Sequence, residues 1–128
     1  MKPEAAVAQL PDRRAIATAV YEQLPDLPLE NHYMSTETGD VETTNTLVYR
    51  LLQYHLRVQS RPLGSRFDWK LTLADYLGAN EWMDDRLYPD RFLETNPYSH
   101  DIEVVRTFNR QQRDDLVSAI LIALDAGR

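Results

Sequence analysis

Apolar residues recur along most of this chain at steps of three and four, the spacing that stacks side chains on one face of an α-helix. Ile16, Ala19, Val20, Gln23 and Leu24 follow Asp12, whose carboxylate suits the free N–H groups of a first turn, so a helix is expected over 12–24. Pro25 and Pro28 end it and make 25–30 a connector. Residues 35–46 hold one apolar side chain, Val41, and read as a surface loop or as a hairpin turning at Gly39 and Asp40. Leu47, Val48, Leu51, Leu52, His55 and Val58 then mark the buried face of a second helix over about 44–60. Thr43, Thr44 or Asn45 would cap it, and Arg61, Pro62 and Gly64 would turn the chain away.

Phe67 to Leu77 fits two patterns. Phe67, Trp69, Leu71 and Leu73 alternate like a strand, whereas Trp69, Leu73, Tyr76 and Leu77 suit a helix capped by Asp68. Gly78, placed where a left-handed helix terminator belongs, favours the helix. Asn80 is expected to cap a short helical stretch holding Trp82, Met83 and Leu87, and Pro89 to Glu94 to form one more turn with Phe92 and Leu93 inward. After a loop fixed by Pro97, Asp101 opens a final helical region as one bent helix or two, with Gly127 as terminator. Leu116 to Leu124 is apolar nearly all round, and a chain this short is expected to leave part of that surface to a second copy, hence a homo-oligomer. The fold class expected is mainly α, a compact bundle of four or five helices over 12–128 behind a flexible tail, 1–11. The alternative is α+β, with a small antiparallel sheet drawn from 32–73.

Length narrows the domain count to one, since 128 residues close a single core. There is no cysteine, which excludes disulfides, thiolate metal sites and cysteine nucleophiles. No apolar run approaches a membrane span, and nothing before Pro11 reads as a secretory signal, so a cytoplasmic location is expected. The net charge of −6 opposes non-specific binding to phosphate backbones. It is unevenly spread. Arg50, Arg57, Arg61, Arg66 and Lys70 against Asp68 make residues 50–70 a +4 segment, leaving −10 for the rest, and 75–103 alone carries −6.

Catalytic patterns are scarce. Gly39, Gly64, Gly78 and Gly127 stand too far apart for a phosphate-cradling loop, and Leu63-Gly64-Ser65 lacks the second glycine of a nucleophile elbow. Among His32, His55 and His100 no pair is spaced for a metalloprotease helix. Asp84, Asp85, Asp90, His100 and Asp101 are the best candidates for a hard cation, but they read better as a solvated acidic surface. His55, on an apolar helix face, reads as a core histidine with polar partners. No metal, cofactor or catalytic residue is assigned. What remains is a surface: Arg50, Arg57 and Arg61 fall seven and four apart on one helix stripe, flanked by Arg66, Lys70, Tyr54, Trp69 and Trp82, the residue types that dominate binding hot spots. The partner-binding set expected is Arg50, Tyr54, Arg57, Arg61, Arg66, Trp69 and Lys70.

The block Asn45 to Met83, above all Asp68-Trp69-Lys70-Leu71-Thr72-Leu73-Ala74-Asp75-Tyr76-Leu77-Gly78-Ala79-Asn80, resembles small uncharacterised soluble proteins of cyanobacteria. That resemblance implies a non-catalytic assembly or adaptor factor for a photosynthetic or carbon-fixing complex, and carries over no functional residue. The function expected is binding to another protein, one that offers an acidic segment to the stripe Arg50, Arg57 and Arg61. A small nucleic-acid-associated regulator and an enzyme with an unrecognised carboxylate and histidine site are the alternatives.

Overall fold

In a computed structural model of the chain, residues 12–126 are described, and they form five α-helices with no sheet. The expected mainly α architecture is therefore observed. The proposed tail, 1–11, and terminator, Gly127, lie outside the described residues. Among the described residues no helix is long and apolar enough to cross a membrane.

Helix α1, Arg13–Gln23, starts where Asp12 accepts from the Arg14 N–H, as its sequence predicts. It buries Ile16, Ala17 and Val20. Helix α2, Leu47–Gln53, is capped by Thr46 rather than by any of the three residues before it, because the Thr46 hydroxyl reaches the Tyr49 N–H. α2 then widens into a π-helical turn, Tyr54–Val58, instead of continuing as an α-helix to residue 60. Ser60 closes that turn at a positive φ of 52°.

Helix α3, Arg66–Tyr76, resolves the ambiguity of its segment, and its cap is Ser65, not Asp68. Gly78 ends it at φ 75°, a conformation that costs an L side chain about 1 kcal/mol or more. The short helix expected after Asn80 is only a 3₁₀ turn, Asp85–Leu87, capped by Asp84, and Trp82 is 79% exposed. Leu93 does turn inward, but Phe92 stays exposed at φ 65°.

The final region is two helices, α4, Tyr98–Arg106, and α5, Arg110–Ala126. Their break is a reciprocal cap: Asn109 Oδ1 accepts from the Gln112 N–H at 2.8 Å while Gln112 Oε1 accepts from the Asn109 N–H at 2.8 Å.

The alternative sheet is absent: of two isolated antiparallel bridges, Met34 to Val41 closes the polar loop on itself and Ser35 to Leu93 ties it to the segment after α3. Asp40 and Gly39 do form the tip of that loop, with the Ser35 N–H donating to the Asp40 carbonyl at 2.8 Å.

One core runs through the bundle, with α5 packed on α1 and α3 and with α1 packed on α2. Leu116, Val117, Ala119, Ile120, Ala123 and Leu124 of α5 are all buried within the chain itself, leaving Ile122 exposed. The chain thus covers most of the apolar surface of its terminal helix itself. Tyr21 pins α1 to the connector and to α2: its hydroxyl donates to the Pro28 carbonyl at 2.8 Å and accepts from the Val48 N–H at 3.3 Å. Burial pushes that phenol up to about 12.

Candidate functional site

The expected arginine stripe is not a surface. Arg50 is 1% exposed because every one of its five N–H donors is consumed inside the protein. Nε and Nη2 grip the two carboxylate oxygens of Asp101 at 2.7 and 2.9 Å, in the bidentate geometry that suits a guanidinium. Nη1 donates to the Asn45 carbonyl and side chain at 2.7 and 2.9 Å, and Nη2 to the Glu30 carbonyl at 2.8 Å. Burial works against the charge of Arg50, and the Asp101 carboxylate outweighs it, so its affinity for the proton rises.

Arg61 turns inward likewise, placing Nη1 2.7 Å from Asp75 Oδ2 and 2.9 Å from the Thr72 hydroxyl. Tyr54 is buried and donates to the same Asp75 oxygen at 2.7 Å, while Asp75 Oδ1 accepts from the Asn80 side chain and the Glu81 N–H, both at 2.9 Å. Trp69 is wholly buried, donates to the Leu63 carbonyl at 2.6 Å and stacks on His55 with ring centres 3.6 Å apart.

Tyrosines fill the space between these two buried ion pairs. Tyr88 donates to Asp101 Oδ2 at 2.6 Å and accepts from the Tyr76 hydroxyl at 2.8 Å, and Tyr76 meets Tyr54 edge to face at 5.5 Å. Burial raises the Tyr76 and Tyr88 phenols well above their ordinary range, so both remain neutral donors.

His55 is the core histidine its position predicts. Nε2, 2.8 Å from the Pro62 carbonyl, must carry the proton, which leaves Nδ1 to accept from the Thr72 hydroxyl at 2.7 Å. Burial lowers its pKa.

Of the expected set, Arg57, Arg66 and Lys70 are left on the surface. Arg66 reaches Ser118 of α5 at 3.3 Å, and Lys70 lines a shallow cavity between α3 and α5 with Arg110, Arg113 and Asp114. Only Arg50 and Arg57 face a common space. The acidic group does not assemble either: Asp101 lies beneath Arg50, Asp84 binds Arg86 at 2.9 Å, and His100 sits on the surface between Glu30 at 2.7 Å and Glu103 at 3.7 Å. No cluster of three or more His, Asp or Glu suited to a metal is found among the described residues.

The common space is a cleft of about 580 Å³, within the range of ligand sites. Six arginines line it from five places in the chain. Arg13 and Arg14 come from the first turn of α1, Arg50 from α2, Arg57 from the π-helical turn, Arg86 from the 3₁₀ turn and Arg91 from the following loop; Asp90 is the one acid among the lining residues.

They are not equivalent. Arg50 has no free donor and forms part of the wall with Tyr88. Arg86 is held by Asp84, and Arg14 lies over the Tyr49 ring at 4.5 Å with Nε on Thr44 at 3.1 Å. Among the described residues Arg13, Arg57 and Arg91 have no acidic partner, Arg91 lying over the Phe92 ring at 4.7 Å. Counting Asp101, Asp84 and Asp90 against the six, the site keeps a formal +3 on a molecule of −6.

Four departures from local preference coincide at this cleft. Arg13 and Arg14 occupy a helix first turn, where the backbone dipole favours anions. Arg57 and Val58 sit in a π-helical turn, a feature frequent at functional sites. Phe92 at its rim holds positive φ without being glycine. Lastly, Arg13 Nε and Gln53 Oε1 are buried with no hydrogen-bond partner, one donor and one acceptor left open. The sequence reading missed Arg13, Arg14, Arg86 and Arg91. The adjacent pair opening an Asp12-capped helix was a legible signal, whereas Arg86 and Arg91 were masked by the acids around them.

No family model, curated protein or solved structure matches this chain, so the reading of the cleft stands on its geometry.

Proposed function

We propose that this protein is a non-catalytic binding domain, an adaptor or assembly factor that receives an acidic segment of a protein partner in the arginine-lined cleft. The single observation carrying the reading is that six arginines from five separate places in the chain line one cleft, three of them without an acid partner among the described residues. Maintaining unpaired like charges in one concavity is unfavourable unless an anion joins them. Val58, Leu87, Pro89 and Phe92 in the same lining supply apolar anchorage beside the charge. A binding role also accords with the state of the buried titratable groups: Asp75, Asp101 and both ring nitrogens of His55 are fully engaged in holding the fold together. The basic element moves from the helix stripe to the cleft, and Arg50 and Arg57 belong to both, Arg57 alone without an acid partner among the described residues.

Titration of the full chain with hexaglutamate and with generic single- and double-stranded oligonucleotides, at low and moderate salt, tests this. Hexaglutamate binding that weakens with salt and is lost in Arg57→Gln and Arg91→Gln supports the adaptor. Oligonucleotide binding tighter than hexaglutamate binding at moderate salt overturns it in favour of a nucleic-acid-associated regulator.

A further inference from the structure

We infer that the cleft recognises a phosphorylated side chain, a phosphoserine or phosphothreonine, within the acidic segment of the partner. The inference rests on the reading of the cleft as an acidic-segment site and specifies its ligand.

Three guanidinium groups have no acid partner among the described residues, and they line the cleft from different parts of the fold. Arg13, Arg57 and Arg91 belong to α1, to the π-helical turn and to the loop after the 3₁₀ turn, three separate places in the chain, and no carboxylate among the described residues pairs with any of them. A carboxylate is planar, carries one negative charge and is satisfied by one guanidinium fork. A phosphoryl group carries about −1.5 to −2 at neutral pH and presents three acceptor oxygens in a tetrahedral arrangement, so it can engage forks approaching from several sides. The residual +3 of the site is better matched by that group than by one carboxylate.

The two orphan atoms narrow the ligand further. Arg13 Nε is a buried donor without an acceptor, and a turn of its guanidinium toward the cleft would give it a phosphoryl oxygen. Gln53 Oε1 is a buried acceptor, its own amide nitrogen being already committed to the Tyr49 hydroxyl at 3.1 Å, so it requires a donor that a bare carboxylate does not offer. A phosphorylated residue in a peptide carries both at short separation: the phosphoryl oxygens on its side chain and the main-chain N–H. The cleft has room for more than the anion, and the Phe92 ring and Leu87 at its rim are exposed for the neighbouring residues of the segment.

The test uses four probes against the full chain by calorimetry at matched ionic strength and neutral pH: N-acetyl-phosphoserine N-methylamide, N-acetyl-glutamate N-methylamide, inorganic phosphate and hexaglutamate. The capped phosphoserine is expected to bind about tenfold or more tightly than the capped glutamate and than inorganic phosphate, since it alone offers both the dianion and the amide donor. Arg57→Gln, at an exposed position, should weaken it about tenfold. Gln53→Met should weaken capped phosphoserine by a larger factor than it weakens inorganic phosphate. Equal binding of the two capped residues, or phosphate binding as tightly as capped phosphoserine, overturns the inference, and if hexaglutamate still binds, the acidic-segment reading survives it. Failure of all four probes ends both.

Discussion

A buried arginine shows how one side chain changes its meaning between sequence and structure. Arg50 has the helical spacing of a surface residue, yet it is the most heavily bonded side chain in the protein, and its five donors leave nothing for a partner. Removing its counter-charge should therefore be severe. Asp101→Asn is expected to lower stability by about 3–5 kcal/mol, because an uncompensated guanidinium remains in a dry site. Urea denaturation measures it, and a loss under about 1 kcal/mol would contradict the closed network.

His55 supplies the residue-scale pH effect. Its pKa in the fold is depressed below the ordinary 6.5, by burial first and then by Arg61, so the unfolded chain takes up a proton that the native one refuses. Its contribution is complete above about pH 6.5 and is lost as pH falls below that value towards the native pKa. Wild-type urea midpoints should fall more steeply between neutral and mildly acidic pH than those of His55→Gln. Parallel slopes would contradict the assignment.

Elements were legible wherever their cause was local. Asp12 and the run behind it predict α1 nearly to the residue, and Gly78 marks the end of α3 because only a left-handed residue can turn the chain there. Gly78→Ala tests that reading: a Cβ would sit 3.1 Å from Arg106 Nη2 on top of the backbone strain. The variant should lose about 1–2 kcal/mol, read as a shift in thermal midpoint, and a neutral effect would show that the turn relaxes.

Misplaced caps share one reason. Thr43, Thr44, Asn45 and Thr46 are all competent, as are Ser65 and Asp68, and the choice is made by where the buried face must begin. The π-helical turn was invisible for a different reason. Its sequence, Tyr54 to Val58, is ordinary helix, and the extra residue is accommodated while Tyr54 reaches Asp75 and His55 reaches Thr72, partners on α3.

For the molecule as a whole, the decisive quantity is the distribution of charge in space. A protein of net −6 that gathers six arginines around one cleft presents a positive focus on a negative body, so an anionic partner is steered to one place. Association with hexaglutamate should slow severalfold when salt rises from about 0.01 to 0.15 M, as screening shortens from about 30 to 8 Å, while dissociation changes less. Stopped-flow rates at the two salt levels check this, and a salt-independent association rate would place the binding surface elsewhere.

Periodicity, proline and glycine punctuation and the absence of cysteine determined that this chain would be a helical bundle, where most of its helices would lie and which chemistries were closed to it. These follow from the sequence because they act between residues a few positions apart. Which arginines were sacrificed to the interior and which were gathered at the surface was decided only by the fold. Arg50 and Arg61 met their acids 51 and 14 residues away, while Arg13 and Arg91, 78 positions apart, came to line one cleft. Charge is read along a sequence one residue at a time, but its field adds in three dimensions, and only packing sets which charges are neighbours.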